Sequence, residues 1–192
     1  MTASRAEALK RYGVEVEPLG EWDAPPIPDL FPKKPGWVVL QRDGLRKLER
    51  MSWGVPCRVR GPKGAVEKPV TNVRNLDSPF WRSMLQGRDG RCLVPFTSFS
   101  EYGQIRGGDG KMPLHWFDIP SRPIASFAGI WRRAEVGEVF AFLTCEPNSL
   151  VAPIHPKAMP MVLDDEDEAR WLAGEPAEGF VAPYPAQLMQ LV

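Results

Sequence analysis

Only two histidines occur in this sequence, His115 and His155, so the search for an acid–base centre is short. His155 lies in Ala152-Pro153-Ile154-His155-Pro156-Lys157-Ala158-Met159-Pro160, a loop fenced by three prolines. A rigid loop presenting one imidazole suits proton transfer near neutral pH. A histidine that only hydrogen-bonds loop backbone is the competing reading. His115 sits in the alternating stretch Leu114-His115-Trp116-Phe117-Asp118 and reads first as a partly buried strand residue. Glu101 follows Phe99-Ser100 and precedes Tyr102. A carboxyl held among aromatics loses hydration in its charged form, which raises its pKa toward the range useful for proton transfer; an ordinary solvated strand-end glutamate is the alternative. Asn72, in Thr71-Asn72-Val73-Arg74, offers an uncharged amide that could orient a substrate oxygen or make an Asx turn.

Other chemistries lack their residues. The sequence has no GxGxxG, Walker or GxSxG motif, and its two histidines make no HExxH zinc site. Cys57, Cys92 and Cys145 have neither CxxC spacing nor the even count of a disulfide framework. Cys92 and Cys145 fall in strand-like patterns and read as packing residues. No metal and no cofactor is expected. Without a signal-like or membrane-length apolar run, the expected setting is the cytoplasm, away from membranes.

Charge is balanced in total, with 24 Lys/Arg against 24 Asp/Glu, but not along the chain. Residues 42–133 carry seventeen cations, thirteen of them arginine, against eight acids; residues 134–192 carry two against ten. The basic middle either meets a polyanion or is neutralised by the acidic C-terminal third.

The elements that must position these groups are short. A helix is expected over 3–12, then a proline-rich connector completing an N-terminal segment 1–35. A strand at 37–41 leads through an Asp43-Gly44 turn to a second strand ending near Trp53. A helix follows over 79–87. Strands are expected at 91–96, 99–102, 113–118, 124–131, 138–145 and 159–163, with Asn148 or Ser149 capping a turn. A helix over 164–173 starts with acids, as the helix dipole favours, and 174–192 reads as a peripheral tail. The 192 residues, 43% of them hydrophobic, suffice for one domain with a real core. The pattern fits an α+β fold: a curved, mostly antiparallel sheet or open barrel with a few short peripheral helices.

Five segments taken in order resemble one family. They are Met51-Ser52-Trp53-Gly54-Val55-Pro56, Asn72-Val73-Arg74-Asn75, Arg91-Cys92-Leu93-Val94-Pro95 running on to Phe99-Ser100-Glu101-Tyr102, Ala128-Gly129-Ile130-Trp131, and Ile154-His155 with Met159-Pro160. The sequence resembles the SOS-response-associated peptidase (SRAP) family from about residue 36 to 172. By that resemblance Asn72 is the substrate-orienting asparagine, and Glu101 and His155 are catalytic. Arg74 contacts phosphate, with Arg82 a second candidate. Trp53 and Tyr102 fall where family members stack on or wedge beside bases. The implied partner is single-stranded DNA with abasic sites, and the chain is expected to act as a monomer. The implied chemistry is peptidase-like exposure of an N-terminal cysteine, whose α-amine attacks the abasic aldehyde and whose thiol closes a ring.

This sequence departs from the pattern at that nucleophile, because position 2 is Thr2. Its histidine loop also places three residues, not two, between His155 and Met159. The expectation is that Met1 is internal to a longer reading frame that opens with Met-Cys. The alternatives are a non-covalent module that binds single-stranded DNA, and an unrelated hydrolase using Glu101 and His155.

Overall fold

Asp43 and Gly44 both take positive φ, 54° and 79°, the backbone of a two-residue turn whose twist matches that of the strands it joins. It joins β1 (Pro35–Arg42) to β2 (Leu45–Trp53) in an eight-pair antiparallel register. The structure is a computed structural model and describes residues 5–14, 30–62 and 64–192. Most of the proline-rich connector therefore lies outside the described residues. The N-terminal helix is α1 (Arg5–Tyr12), closed by Gly13.

Chain order continues with β3 (Val55–Gly61), β4 (Gly64–Val70), β5 (Asn72–Val73), α2 (Pro79–Leu85), β6 (Arg91–Phe96), β7 (Ser98–Tyr102) and β8 (Leu114–Asp118). Then come β9 (Ala125–Ala134), β10 (Gly137–Cys145), β11 (Met159–Pro160), β12 (Val162–Leu163), α3 (Asp165–Leu172) and β13 (Gln190–Leu191). Strands β1, β2, β10, β9 and β6 pair in a closed circuit, antiparallel everywhere except β10 with β2. The expected curved sheet thus closes on itself. The circuit is buried on both faces: Val38, Leu40 and Phe140 lie on one and Leu93, Ile130 and Leu143 on the other, each at most 1% exposed. Strands β13, β8 and β7 form a second, three-stranded sheet, and β3 with β4 makes a separate two-stranded ribbon.

Two details differ from expectation. The ribbon and β5 have no counterpart in the elements read from the sequence, because their proline, glycine and charged residues mask a strand pattern on an exposed surface. The single strand expected over 159–163 is instead two short ones. Strands β9 and β10 stay paired only as far as Gly129 and Phe142. Beyond that they diverge, and this segment fills the gap. Met159 and Pro160 pair with β10, Val162 and Leu163 pair with β9, and Met161 bonds to both through Leu143 and Ala128.

The helices pack outside. The Tyr12 hydroxyl on α1 donates to the Ser126 hydroxyl at 2.7 Å, which in turn donates to Glu168 on α3 at 2.7 Å. Glu168, 1% exposed, also meets Arg11 at 3.0 Å and Arg122 at 3.5 Å. Burial pushes its carboxyl up, while Ser126, Arg11 and Arg122 pull it back. The stretch from 174 onward contributes Ala177, Phe180, Tyr184 and Met189 to the buried set, and β13 to the edge of β8.

Candidate functional site

Strand β7 alternates. Phe99 turns inward and is buried, so Glu101 lies on that same face and Tyr102 on the opposite one. Directly across on β8, Glu101 pairs with His115 and Tyr102 with Leu114. Glu101 is backed by a run of aromatic rings. Phe99 stacks on Phe117 at 5.2 Å, and Phe99 and Phe96 both meet Phe127, which packs on Phe142 at 4.9 Å. Burial in these surroundings raises the Glu101 carboxyl from 4.5 to about 7.

His155 reaches the same place from the loop between β10 and β11. Its Nδ1 lies 3.1 Å from Glu101 Oε2. Asn148 builds that loop. Its Oδ1 accepts from the backbone N–H groups of Leu150 and Val151, and its Nδ2 donates to the Tyr184 carbonyl at 2.7 Å. The Val151 carbonyl in turn accepts from the Ile154 and His155 N–H groups. Gln104, just past β7, donates to the Pro153 carbonyl at 3.1 Å and clips the two segments together.

Desolvation, then the positive charges of Lys157 and Arg74, hold the His155 imidazole below its ordinary 6.5. Both shifts favour a neutral acid beside a neutral imidazole. With Nδ1 turned to Glu101, Nε2 is the nitrogen left for a substrate.

Arg74 and Asn72 enter from β5. Val73 between them is fully buried and both neighbours are exposed, so the amide and the guanidinium share the outward face. β5 is paired to β10 through Phe142 and Leu143. Arg74 Nη1 donates to the Lys157 carbonyl, tying β5 to the histidine loop, and Nη2 meets Glu146 Oε1 at 2.7 Å. Trp53 secures this strand from beneath. Its ring stacks on Phe142 at 5.3 Å, and its Nε1–H donates to the Thr71 carbonyl at 3.1 Å. The chain turns sharply after Trp53 because Gly54 has φ 123° and a Cβ there would lie 2.7 Å from Pro69.

The candidates thus divide. Glu101 and His155 touch, and Arg74 reaches the loop that carries His155. Trp53 acts on the strand that holds Asn72. Tyr102, 60% exposed, lies on the other face of its sheet from Glu101. Arg82 lines a separate cavity of about 360 Å³ with Leu76, Asp77, Gln86 and Glu178. Sequence reasoning singled out neither Gln104 nor Glu146. Asn148 was expected only to cap a turn, and its depth of burial is what makes it a positioning residue.

The three cysteines are free. Cys92 and Cys145 are buried, and burial pushes the Cys145 thiol up to about 11. Among the described residues no group of three or more His, Cys, Asp or Glu converges as a metal site, and no helix is long and apolar enough to cross a membrane. Both readings of the charge pattern find some footing. Glu138, Glu146, Asp165 and Glu168 from the acidic third pair with Arg42, Arg74, Arg122 and Arg133 from the basic middle. Arg58, Arg60 and Arg82 stay exposed.

The chain is 25% identical, over an alignment of 185 residues, to the abasic site processing protein YoqW of Bacillus subtilis (strain 168); the match spans 90% of this chain and 80% of that protein. The YoqW of Bacillus phage SPbeta matches equally. Among solved structures, a protein from Bacteroides thetaiotaomicron superposes with a TM-score of 0.74 at 22% identity, covering 100% of this chain and 88% of that one. One from Bordetella bronchiseptica gives 0.72 at 18%, covering 100% and 96%. These structural likenesses establish the fold. The family itself is established by the model of the SOS response associated peptidases (SRAP), which matches residues 1–192, and the chain belongs to that family.

Proposed function

We propose that this protein processes abasic sites in single-stranded DNA, with Glu101 and His155 moving protons while Asn72 orients the opened sugar and Arg74 holds a flanking phosphate. The observation that carries the reading is the 3.1 Å contact between a carboxyl raised to about 7 and a neutral imidazole, beside an arginine and an amide on one outward face. The YoqW relatives, abasic site processing proteins by name, support abasic sites as the substrate.

An α-amine adds to the abasic aldehyde to give a carbinolamine. His155 Nε2–H protonates the departing hydroxyl while Glu101 resupplies Nδ1; water leaves, and the iminium returns one proton to the pair as it becomes the imine. A thiol on the same residue then adds to the imine carbon, its proton ending on the nitrogen, and a five-membered ring closes. Ring closure within one residue carries almost no entropic cost. The amine and thiol are those of an N-terminal cysteine, which this sequence does not carry at position 2, where Thr2 stands.

The test is a denaturing gel of a single-stranded oligonucleotide with one abasic site, incubated with this chain, with a Met-Cys-extended form, and with Glu101→Gln in that form. A shifted band is expected with the extended form, slowed about 10²-fold by Glu101→Gln with binding retained. Salt-sensitive binding without a covalent band from any form would establish a non-covalent module instead. No binding at low salt would reject DNA as the ligand and leave the acid–imidazole pair to a hydrolase.

A further inference from the structure

The Arg74 guanidinium is already occupied. Nη1 is committed to the Lys157 carbonyl, and Nη2 faces Glu146 Oε1 at 2.7 Å. The two contacts differ in kind. The first joins β5 to backbone of the histidine loop. The second is an ion pair between side chains that are 51% and 77% exposed. An exposed pair of this sort contributes little, because water screens it and two long side chains must be held still. Its carboxylate nevertheless sits where a ligand oxyanion would have to approach the free edge of the guanidinium, since carboxylates and phosphates use the same donor fork.

Glu146 lies directly after β10, whose last residue, Cys145, is paired with Met159. The backbone on its N-terminal side is fixed, while the side chain extends into solvent and can swing away. Loss of the Glu146 contact leaves Nη1 on the Lys157 carbonyl, so the loop stays tethered.

We propose that Glu146 is an internal stand-in for a ligand phosphate on Arg74, so that a DNA strand engages this site only by exchanging its phosphate for that carboxylate. The inference rests on the DNA reading given above. The exchange weakens binding to any chance anion and favours a ligand that brings further contacts at the same time. Glu146 is thus a selectivity residue, outside the proton-transfer machinery.

The test is a double-mutant cycle read by fluorescence anisotropy, using a labelled single-stranded oligonucleotide and the full chain: wild type, Glu146→Gln, Arg74→Ala and the double variant. Glu146→Gln is expected to tighten binding about two- to fivefold, the scale of an exposed ion pair. In the Arg74→Ala background the same change should have less than half that effect on the logarithmic scale. Equal tightening in both backgrounds would mean that Glu146 acts only through general charge, and would overturn the proposal. So would unchanged or weaker binding by Glu146→Gln with its thermal stability intact. If Glu146→Gln lowers stability, Glu146→Ser is measured alongside, and weaker binding by both rejects the exchange. Failure of all four proteins to bind at low salt would sink the DNA reading itself, and this proposal with it.

Discussion

Replacing Glu101 by Gln removes a buried charge as well as a proton carrier, and the two effects separate by pH. In the folded protein the carboxyl titrates at about 7, against an ordinary value of 4.5. Below 4.5 it is protonated folded and unfolded, and contributes no pH dependence. Between 4.5 and 7 the unfolded chain ionises first, so stability falls as pH rises. Above 7 both forms are ionised and the loss is constant. At roughly 1.4 kcal/mol per pH unit the gap amounts to roughly 3 kcal/mol. The side chain is 20% exposed, so solvent screening does not erase it. His155 has the opposite profile: its folded pKa is lowered, so its cost appears only as pH drops below 6.5. Urea unfolding of wild type and Glu101→Gln from pH 5 to 8.5 should show the variant gaining roughly 2–3 kcal/mol relative to wild type as pH rises. A difference that is flat over that range would refute the claim that desolvation sets the acid's pKa.

Two further substitutions probe the scaffold. Asn148→Ala removes the acceptor for two backbone N–H groups and the donor to Tyr184 at a site 8% exposed, so urea unfolding should report a loss of about 2–4 kcal/mol. Trp53→Phe keeps a ring against Phe142 but deletes the N–H bond to Thr71, and should cost about 1 kcal/mol in the same measurement.

What could be read in advance followed the range of the interactions involved. The Asp43-Gly44 turn is local chemistry, and so is Pro79 at the first turn of α2; both lie where the sequence places them. Strands β9 and β10 run over apolar, β-branched and aromatic residues and were legible for that reason. The ribbon of β3 and β4 was not, because exposed strands carry no burial pattern. At the site, the residue types at 101 and 155 pointed to proton transfer, but they lie 54 positions apart and only the fold brings them to 3.1 Å. Arg91 shows the reverse case. The resemblance names it within a motif, and the structure buries it over Trp171 at 3.8 Å with Nη2 on the Leu85 and Glu175 carbonyls, a packing role. Gln104 and Glu146 carry no local signal, since each matters only through a loop far along the chain.

The charge surroundings of the pair decide which of its two one-proton states prevails. An ionised Glu101 beside a protonated His155 would gain Coulomb attraction, but it would leave a carboxylate in a desolvated setting and an imidazolium near Lys157 and Arg74. Both costs fall on that state and neither falls on the neutral one. The neutral arrangement puts the carboxyl proton toward Nδ1, which leaves the imidazole's own proton on Nε2. A proton given up at Nε2 is then replaced at Nδ1 by Glu101, and the only ion created within the pair is a carboxylate facing the ring. The same desolvation that raises the Glu101 carboxyl to about 7 keeps a donor at Nε2 up to that pH. A Glu101 titrating at its ordinary value would already have surrendered that proton to solvent.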